Sequence, residues 1–209
     1  MKDRRRSDAL PGLLAVLLTS GALVAPVAAT AQSPLDFELR GGMGLPAFDL
    51  ADRTDAGPAV GLDLAYRVAP GLSVVVGGDV EFLDGQEPEG TGPGSPGVNA
   101  WHYGGGLEAQ LLRPTSTYWR LNVGAGLGAT TFDVSEGGGS ETDLSVYGSL
   151  ELGWNASEEM ELFVGLRSYL AFAGDDAATT TGDGEQLQTF ADAETLWSFP
   201  VMGGVRLLF

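Results

Sequence analysis

The sequence predicts an all-β fold, an eight-stranded antiparallel up-and-down transmembrane β-barrel, and three observations lead to it. Hydrophobic residues alternate with polar or small residues in eight separate segments, which is the period-two pattern of strands with two different faces. The connections between these segments alternate between long and short. The apolar faces carry almost no charge, which favours a barrel whose outer wall meets lipid.

Side-chain alternation supports the assignment of each of the eight segments as a strand. In the clearest one, Leu144 and Val146 lie on one face while Ser145 and Glu151 lie on the other. A helical alternative is poor for the glycine-rich stretch 124–128, because each Gly costs roughly 1 kcal/mol relative to Ala in a helix. Each segment is long enough to cross a bilayer when tilted, which takes about 9–11 residues. In chain order the segments are 35–43, 60–68, 72–82, 101–111, 119–127, 144–154, 162–170 and 197–209.

A secretory signal peptide is predicted at residues 1–31. It has a basic start, MKDRRR, an apolar stretch over 13–28, and a small-x-small cleavage signal, Ala29-Thr30-Ala31. The alternative is an uncleaved membrane anchor, but the apolar stretch is short and interrupted. We therefore expect cleavage after Ala31 and a single barrel domain over residues 32–209.

Composition excludes several classes of function. The chain of 209 residues has 11 Lys and Arg against 28 Asp and Glu, a formal net charge of −17, which argues against a nucleic-acid partner. It has no cysteine, so disulfides, thiolate metal sites and cysteine nucleophiles are excluded. His102 is the single histidine, so one chain cannot supply two imidazoles. No cofactor and no metal site are predicted.

The connections form two sets that would lie at opposite ends of a barrel. Short turns at 69–71, 113–117 and 155–158 share the end of both termini, and long loops at 47–57, 84–99, 135–142 and 174–195 share the other end. The long loops are acidic, and a solvated surface is the favoured interpretation over a cation site or a contact with a basic partner. Asp183 and Glu185 have partial calcium-loop spacing without the closing Glu, so micromolar calcium binding is not expected.

Aromatic residues at the ends of the apolar faces discriminate between a membrane barrel and a soluble one. Two belts of aromatic side chains flanking an apolar band are typical of a bilayer interface. The predicted belt at the short-turn end is Tyr66, Trp119, Trp154 and Phe209, and the predicted belt at the long-loop end is Phe82, Trp101, Trp197 and Phe199.

The opposite faces predict a charged barrel interior. Eight strands leave an interior just wide enough for side chains to fill it, so unpaired charges there are costly and Arg–carboxylate networks are expected. We favour a polar plug over a narrow ion path. The predicted interior network is Glu38, Arg40, Asp63, Arg67, Asp79, Glu108, Arg120, Glu151, Arg167 and Arg206.

Taken with the signal peptide and the eight segments, the C-terminal pattern Val205-x-Leu207-x-Phe209 resembles that of the small outer-membrane β-barrel family of Gram-negative bacteria, the OmpA, OmpX and opacity-protein type. The resemblance covers essentially the whole chain after residue 31. It implies an outer-membrane location, contact with outer-membrane lipid, and recognition of Val205, Leu207 and Phe209 by the barrel-assembly machinery. The resemblance specifies fold and location better than activity. We expect a structural or surface-interaction role with acidic extracellular loops, and a narrow porin-like channel for ions or small solutes is the alternative.

A lipid-modifying enzyme is the least favoured interpretation. Lipid A deacylases of similar barrels carry a His-x-Ser-Asn pattern, whereas His102 is followed by Tyr103 and Gly104. A site assembled from His102, Ser95 and Asp84 is conceivable, but the sequence does not fix its geometry. We therefore expect no enzymatic activity.

Overall fold

The computed structural model describes residues 34–52, 54–85, 97–112, 119–134, 139–172 and 195–209. The predicted signal peptide and its cleavage site lie outside the described residues, as do the turn at 113–117 and most of the acidic loop residues beyond position 85. The described strands belong to one compact unit, Ser33–Phe209. No helix among the described residues has the length and apolar character needed to span a membrane.

Antiparallel strands account for almost all of the described chain. They are β1 Leu35–Gly44, β2 Pro46–Ala47, β3 Thr54–Asp55, β4 Gly57–Ala69, β5 Leu72–Gly85, β6 Val98–Leu112, β7 Trp119–Val134, β8 Gly139–Asn155, β9 Met160–Phe172, β10 Thr195–Ser198 and β11 Val201–Leu208. A 3₁₀ helix, Phe48–Leu50, follows β2.

The sheet closes on itself and so forms a barrel. The long strands β1, β4, β5, β6, β7, β8 and β9 pair in chain order. Strand β11 pairs with β9 on one side and with β1 on the other, from Asp36 opposite Leu208 to Met43 opposite Val201. The predicted eight-stranded antiparallel up-and-down barrel is therefore confirmed, with β10 and β11 together as its eighth wall element.

The last wall element corrects the predicted single strand over 197–209. It is broken between β10 and β11 at Phe199 and Pro200, because proline has no backbone N–H to donate to a ladder. The backbone N–H of Phe199 instead donates to the carbonyl of Leu45, at 2.8 Å. At the break β10 pairs with β2, whereas β11 pairs with β1.

The predicted long loop at 47–57 is also corrected, because this segment folds over one end of the barrel. It contains the 3₁₀ helix and β3, which pairs with the end of β5. We call Leu45–Asp52 the strap. The loop predicted at 135–142 is shorter than expected, since β7 continues to Val134 and β8 begins at Gly139.

Apolar side chains cover the outer wall and charged side chains fill the middle of the barrel. Leu39, Leu127 and Leu144 are each more than half exposed, whereas Arg40, Asp63 and many other charged residues are buried. One apolar cluster departs from the predicted polar interior. It lies inside the barrel at the long-loop end and consists of Leu50, Leu83, Val98, Ala100, Phe132, Ala171 and Leu196.

Candidate functional site

The guanidinium of Arg40 is the centre of one of the two clusters in the charged interior, the one closer to the long-loop end. Strand β1 directs this side chain inward, and the glycines opposite it on both neighbouring strands, Gly61 and Gly204, leave room for it. Its Nε donates to Asp79 Oδ1 at 2.6 Å, and its Nη1 donates to Asp63 Oδ2 at 2.5 Å and to Glu38 Oε1 at 2.7 Å. A buried guanidinium with three carboxylate partners links β1, β4 and β5 electrostatically.

Arg167 and Tyr169 approach the same carboxylates from another strand. Arg167 on β9 donates to Asp63 Oδ2 at 2.7 Å and lies 3.5 Å from Asp79 Oδ2. The hydroxyl of Tyr169, two residues further along β9, also donates to Asp79. Two carboxylates from the adjacent strands β4 and β5 therefore connect Arg40 with Arg167, whose strands β1 and β9 are separated by β11.

Arg206 is the centre of the second cluster in the charged interior, which lies closer to the short-turn end. Its Nη2 lies 2.7 Å from both Glu38 Oε2 and Glu151 Oε2, and 3.2 Å from Glu108 Oε2. Its Nη1 lies 3.1 Å from Glu161 Oε1. Four carboxylates from four strands thus surround one guanidinium, and Glu38 joins this cluster to the Arg40 cluster.

The network becomes more accessible toward the short-turn end. The side chain of Arg120 pairs with Glu161 and is 23% exposed, and that of Arg67 pairs with Asp36 and is 35% exposed. The side chain of Arg40, by contrast, is 2% exposed. Solvent therefore reaches the charged interior from the short-turn end more readily than it reaches the middle.

The structure places all ten predicted interior residues in ion pairs. Nine of them are connected in one network, and Arg67 forms a separate pair with Asp36. Sequence analysis did not single out Glu161, which connects Arg120 to Arg206, or the Tyr169 hydroxyl that binds Asp79. Both residues lie an even number of positions from Arg167 on β9 and so share its inward face. This alternation is the sequence signal that could have identified them.

His102 lies on the long-loop side of this network and belongs to a further group of polar side chains. Its Nε2 is 2.8 Å from Glu81 Oε1, its Nδ1 is 2.8 Å from Thr130 Oγ1, and its ring stacks on that of Tyr169 with centroids 3.8 Å apart. Ser198 also donates to Glu81 Oε1, at 2.8 Å. Both ring nitrogens are therefore occupied, so the hypothetical site of His102 with Asp84 is not formed, and Ser95 lies outside the described residues.

The acid–imidazole–hydroxyl order of Glu81, His102 and Thr130 is one that activates a nucleophile in hydrolases. Here all three residues are buried, Glu81 and Thr130 completely, beneath the apolar cluster. The three side chains are therefore closed off from solvent in this conformation. Within the described part of the chain, no group of His, Asp or Glu residues has an arrangement that could hold a metal ion.

The predicted aromatic belts lie at the two ends of the wall. At the short-turn end Trp119 lies opposite Trp154 in the register of β7 and β8, and both are exposed. At the long-loop end the ring of Trp197 lies 5.6 Å from that of Phe199 and 5.2 Å from that of Phe48 in the strap. The other predicted belt residues, Tyr66, Phe209, Phe82 and Trp101, are exposed or half-buried at the ends to which they were assigned.

A closed barrel with an apolar outer wall and a buried ionic interior defines a protein that spans a membrane with strands. A family model described as the outer membrane protein beta-barrel domain matches residues 14–189, and the chain belongs to this family. The family places it in the outer membrane of Gram-negative bacteria. Among curated proteins, none matches the sequence.

Solved structures of outer-membrane barrels have a similar fold. Neisserial surface protein A (NspA) is 13% identical, with a TM-score of 0.61 over 86% of this chain and 100% of that one. The outer membrane protein OprG from Pseudomonas aeruginosa is 14% identical, with a TM-score of 0.50 over 85% of this chain and 97% of that one. Identities this low show a shared fold only. The role of this protein therefore has to be inferred from its own residues.

Proposed function

We propose that the protein is a non-conducting element of the outer membrane, with a structural or surface-interaction role carried by an acidic long-loop end. The observation that supports this most directly is the filled interior, in which two arginine-centred clusters lie below an apolar cluster. We place the long loops on the cell surface and the short turns in the periplasm, as in other outer-membrane barrels.

Side chains from several strands pack into the interior among the described residues. Beside the ionic network, the Tyr147 side chain packs against a wall of glycines, and its hydroxyl would lie 2.6 Å from a Cβ at position 106. Glycines also face each other across β6 and β7, Gly104 opposite Gly128 and Gly106 opposite Gly126. Side chains from the rest of the barrel therefore fill the space that this side-chain-free wall provides.

The described cations all lie inside the barrel, whereas several acids are exposed at the long-loop end. Every Lys or Arg in the described residues, namely Arg40, Arg67, Arg120, Arg167 and Arg206, takes part in the interior ion pairs. The strap and the strand ends beside it carry exposed acids, Asp49, Asp52, Asp55, Asp84 and Asp133. Such a surface attracts cationic partners over about a Debye length.

Planar-bilayer recording of the refolded protein tests the non-conducting part of the proposal. We expect no single-channel steps, with insertion verified by quenching of Trp119 and Trp154 fluorescence with brominated lipid. Reproducible unitary steps from inserted protein would refute it.

A narrow ion path is the second candidate, and the composition of the network favours cations over anions in such a path. The connected network contains six carboxylates, those of Glu38, Asp63, Asp79, Glu108, Glu151 and Glu161, against four arginines. Any steps seen in the recording are therefore expected to be cation-selective, and anion-selective steps would contradict this candidate as well.

Binding of a cationic peptide to the protein in nanodiscs tests the surface-interaction part. The quadruple variant Asp49→Asn, Asp52→Asn, Asp55→Asn and Asp84→Asn is expected to weaken binding at low salt by several-fold, because each rim charge contributes to electrostatic attraction. The matched control neutralises Glu158 and Glu159, exposed acids in the turn at the opposite end. Equal loss in both variants would rule out a role specific to the long-loop end.

We also propose that the protein is not an enzyme, on the ground that the His102 group is inaccessible. Incubation of the refolded barrel with lipid A, followed by mass spectrometry of the lipid, is expected to show no change in mass. A mass loss that disappears in His102→Gln would overturn this.

A further inference from the structure

We propose that the strap, Leu45–Asp52, is a gate that seals the barrel interior at the long-loop end and opens without unfolding the barrel. The proposal deepens the proposed function, since it names the element that closes the interior, and it rests on that function's membrane-spanning orientation. The side chain that fills the opening of the barrel at this end belongs to the strap itself and is that of Leu50.

Leu50 closes the mouth by inserting into the apolar cluster. Its exposure is 0%, although it belongs to a three-residue 3₁₀ helix in a connecting segment. The partners in the cluster come from five different wall strands: Leu83 of β5, Val98 of β6, Phe132 of β7, Ala171 of β9 and Leu196 of β10. One side chain therefore contacts a cluster contributed by most of the barrel circumference and excludes water there.

The seal separates two environments. Below Leu50 lie Glu81, His102, Thr130 and Ser198, which are at most 3% exposed. At the opposite end of the same interior, the side chain of Arg67 is 35% exposed. The polar interior is thus partly exposed at one end and covered by apolar side chains at the other, and the stopper Leu50 controls access from the long-loop end.

Among the described residues, short ladders and single hydrogen bonds attach the strap and the residues after it to the barrel. Strand β2 pairs with β10 at two positions, and the backbone N–H of Phe199 donates to the carbonyl of Leu45. Beyond the strap, the hydroxyl of Thr54 donates to the carbonyl of Leu50 at 2.9 Å, and β3 pairs with β5 at two positions. The full β1–β11 and β1–β4 ladders close the barrel independently of these bonds, so the strap can leave while the wall stays intact.

Backbone strain in the strap favours opening. Phe48 has a φ of 51°, in the left-handed region that a bulky side chain rarely adopts. The same residue is 66% exposed and rests edge-on against Trp197 at the outer rim. Phe48 outside and Leu50 inside hold the strap across the barrel wall, and release of the strap relieves the strain at Phe48.

Cysteine accessibility tests the gate cleanly, because the chain has no native cysteine. Ser198→Cys places a thiol directly below the stopper, and Ser157→Cys places a reference thiol in an exposed short turn. With a membrane-impermeant maleimide in nanodiscs, we expect the thiol at position 198 to react at least about 100-fold more slowly than the reference. This retardation requires only that the strap be closed most of the time.

Strap variants then identify the stopper. Leu50→Ser in the Ser198→Cys background is expected to accelerate labelling at least about 10-fold, since it removes the apolar seal. Thr54→Val, which removes only the bond to Leu50, is expected to accelerate it about 5-fold. Leu45→Ser is the matched control in the same strap, because the Leu45 side chain is exposed, and it is expected to leave the rate unchanged. Heat-dependent gel mobility must show an intact barrel in every variant.

Rapid labelling at position 198 in the otherwise wild-type protein would overturn the gate, even if the protein does not conduct. Acceleration by Leu45→Ser equal to that by Leu50→Ser would also overturn it, as would the absence of acceleration by both Leu50→Ser and Thr54→Val. Slow labelling together with single-channel steps would support the gate and contradict the proposed non-conducting function, so the two failures are distinguishable.

Discussion

Asp63 lies opposite Gly77 in the register of β4 and β5, and its carboxylate occupies the space that a Cβ at position 77 would fill. The relationship is reversed two residues further along the ladder, where Gly61 lies opposite Asp79 and makes room for that carboxylate. Two acid–glycine pairs on adjacent strands thus bring both carboxylates to Arg40. Glycine here is a requirement of the ion network, since any side chain would displace an acid from its cation.

Gly77→Ala is expected to destabilise the barrel by about 1–3 kcal/mol, because the added methyl group overpacks the site and displaces Asp63. A Cβ at position 77 would also lie 2.8 Å from the Cα of Asp63, which cannot move away as a flexible side chain can. Urea unfolding in detergent, followed by gel mobility, measures the change. Gly41→Ala on the outer wall is the control, since its nearest neighbour would be 3.7 Å away, and an equal loss there would contradict the argument.

Arg40→Met is expected to cost about 3–5 kcal/mol, because it leaves the buried carboxylates of Glu38, Asp63 and Asp79 with too few cations. Arg67→Met is expected to cost at most about 1 kcal/mol, since Arg67 is partly exposed and has one ion-pair partner, Asp36, at 3.3 Å. The urea midpoints of the two variants test the difference. The double variant Arg40→Met, Asp79→Asn should recover part of the loss, and equal midpoints for Arg40→Met and Arg67→Met would contradict the assigned roles.

Alternation in the sequence predicts which face a side chain occupies, and this was sufficient to assign the ten charged residues of the predicted network to the interior. Glu38 and Arg40 alternate with apolar residues on β1, and their inward direction follows from the pleat. Alternation does not predict which charges meet across the barrel. The Asp63–Arg167 pair joins residues 104 positions apart, and it depends on the barrel's diameter and on the stagger of its strands.

The strap was beyond prediction for a different reason. Its sequence, from Leu45 to Asp52, contains a proline and two acids and has no periodic pattern, so it reads as a surface loop. Leu50 becomes an interior residue only because several wall strands end in apolar side chains at the same level. These apolar side chains meet because of the register between the strands, and the sequence of each separate segment does not reveal that register.

Export of the protein is expected to produce a mature chain that begins at Gln32. The physical basis is the basic start, the short apolar stretch and the small residues at positions 29 and 31, which fit a signal-peptidase site. Intact-mass measurement of the protein from outer-membrane fractions tests this. Ala31→Leu should leave the precursor uncleaved, and a full-length chain in the native preparation would contradict the predicted signal peptide.

Phe209→Ala is expected to reduce the amount of protein assembled in the outer membrane by several-fold while leaving its refolding in detergent nearly unchanged. Phe209 is 57% exposed at the short-turn end, where it continues the outward face of β11 beyond Leu207. Its removal therefore takes no packing from the interior, and a loss in cells reflects recognition of the chain end during assembly. Phe199→Ala, a belt residue at the opposite end, is the control. Comparable losses for both variants in cells, or a failure of Phe209→Ala to refold in detergent, would refute an assembly-specific role.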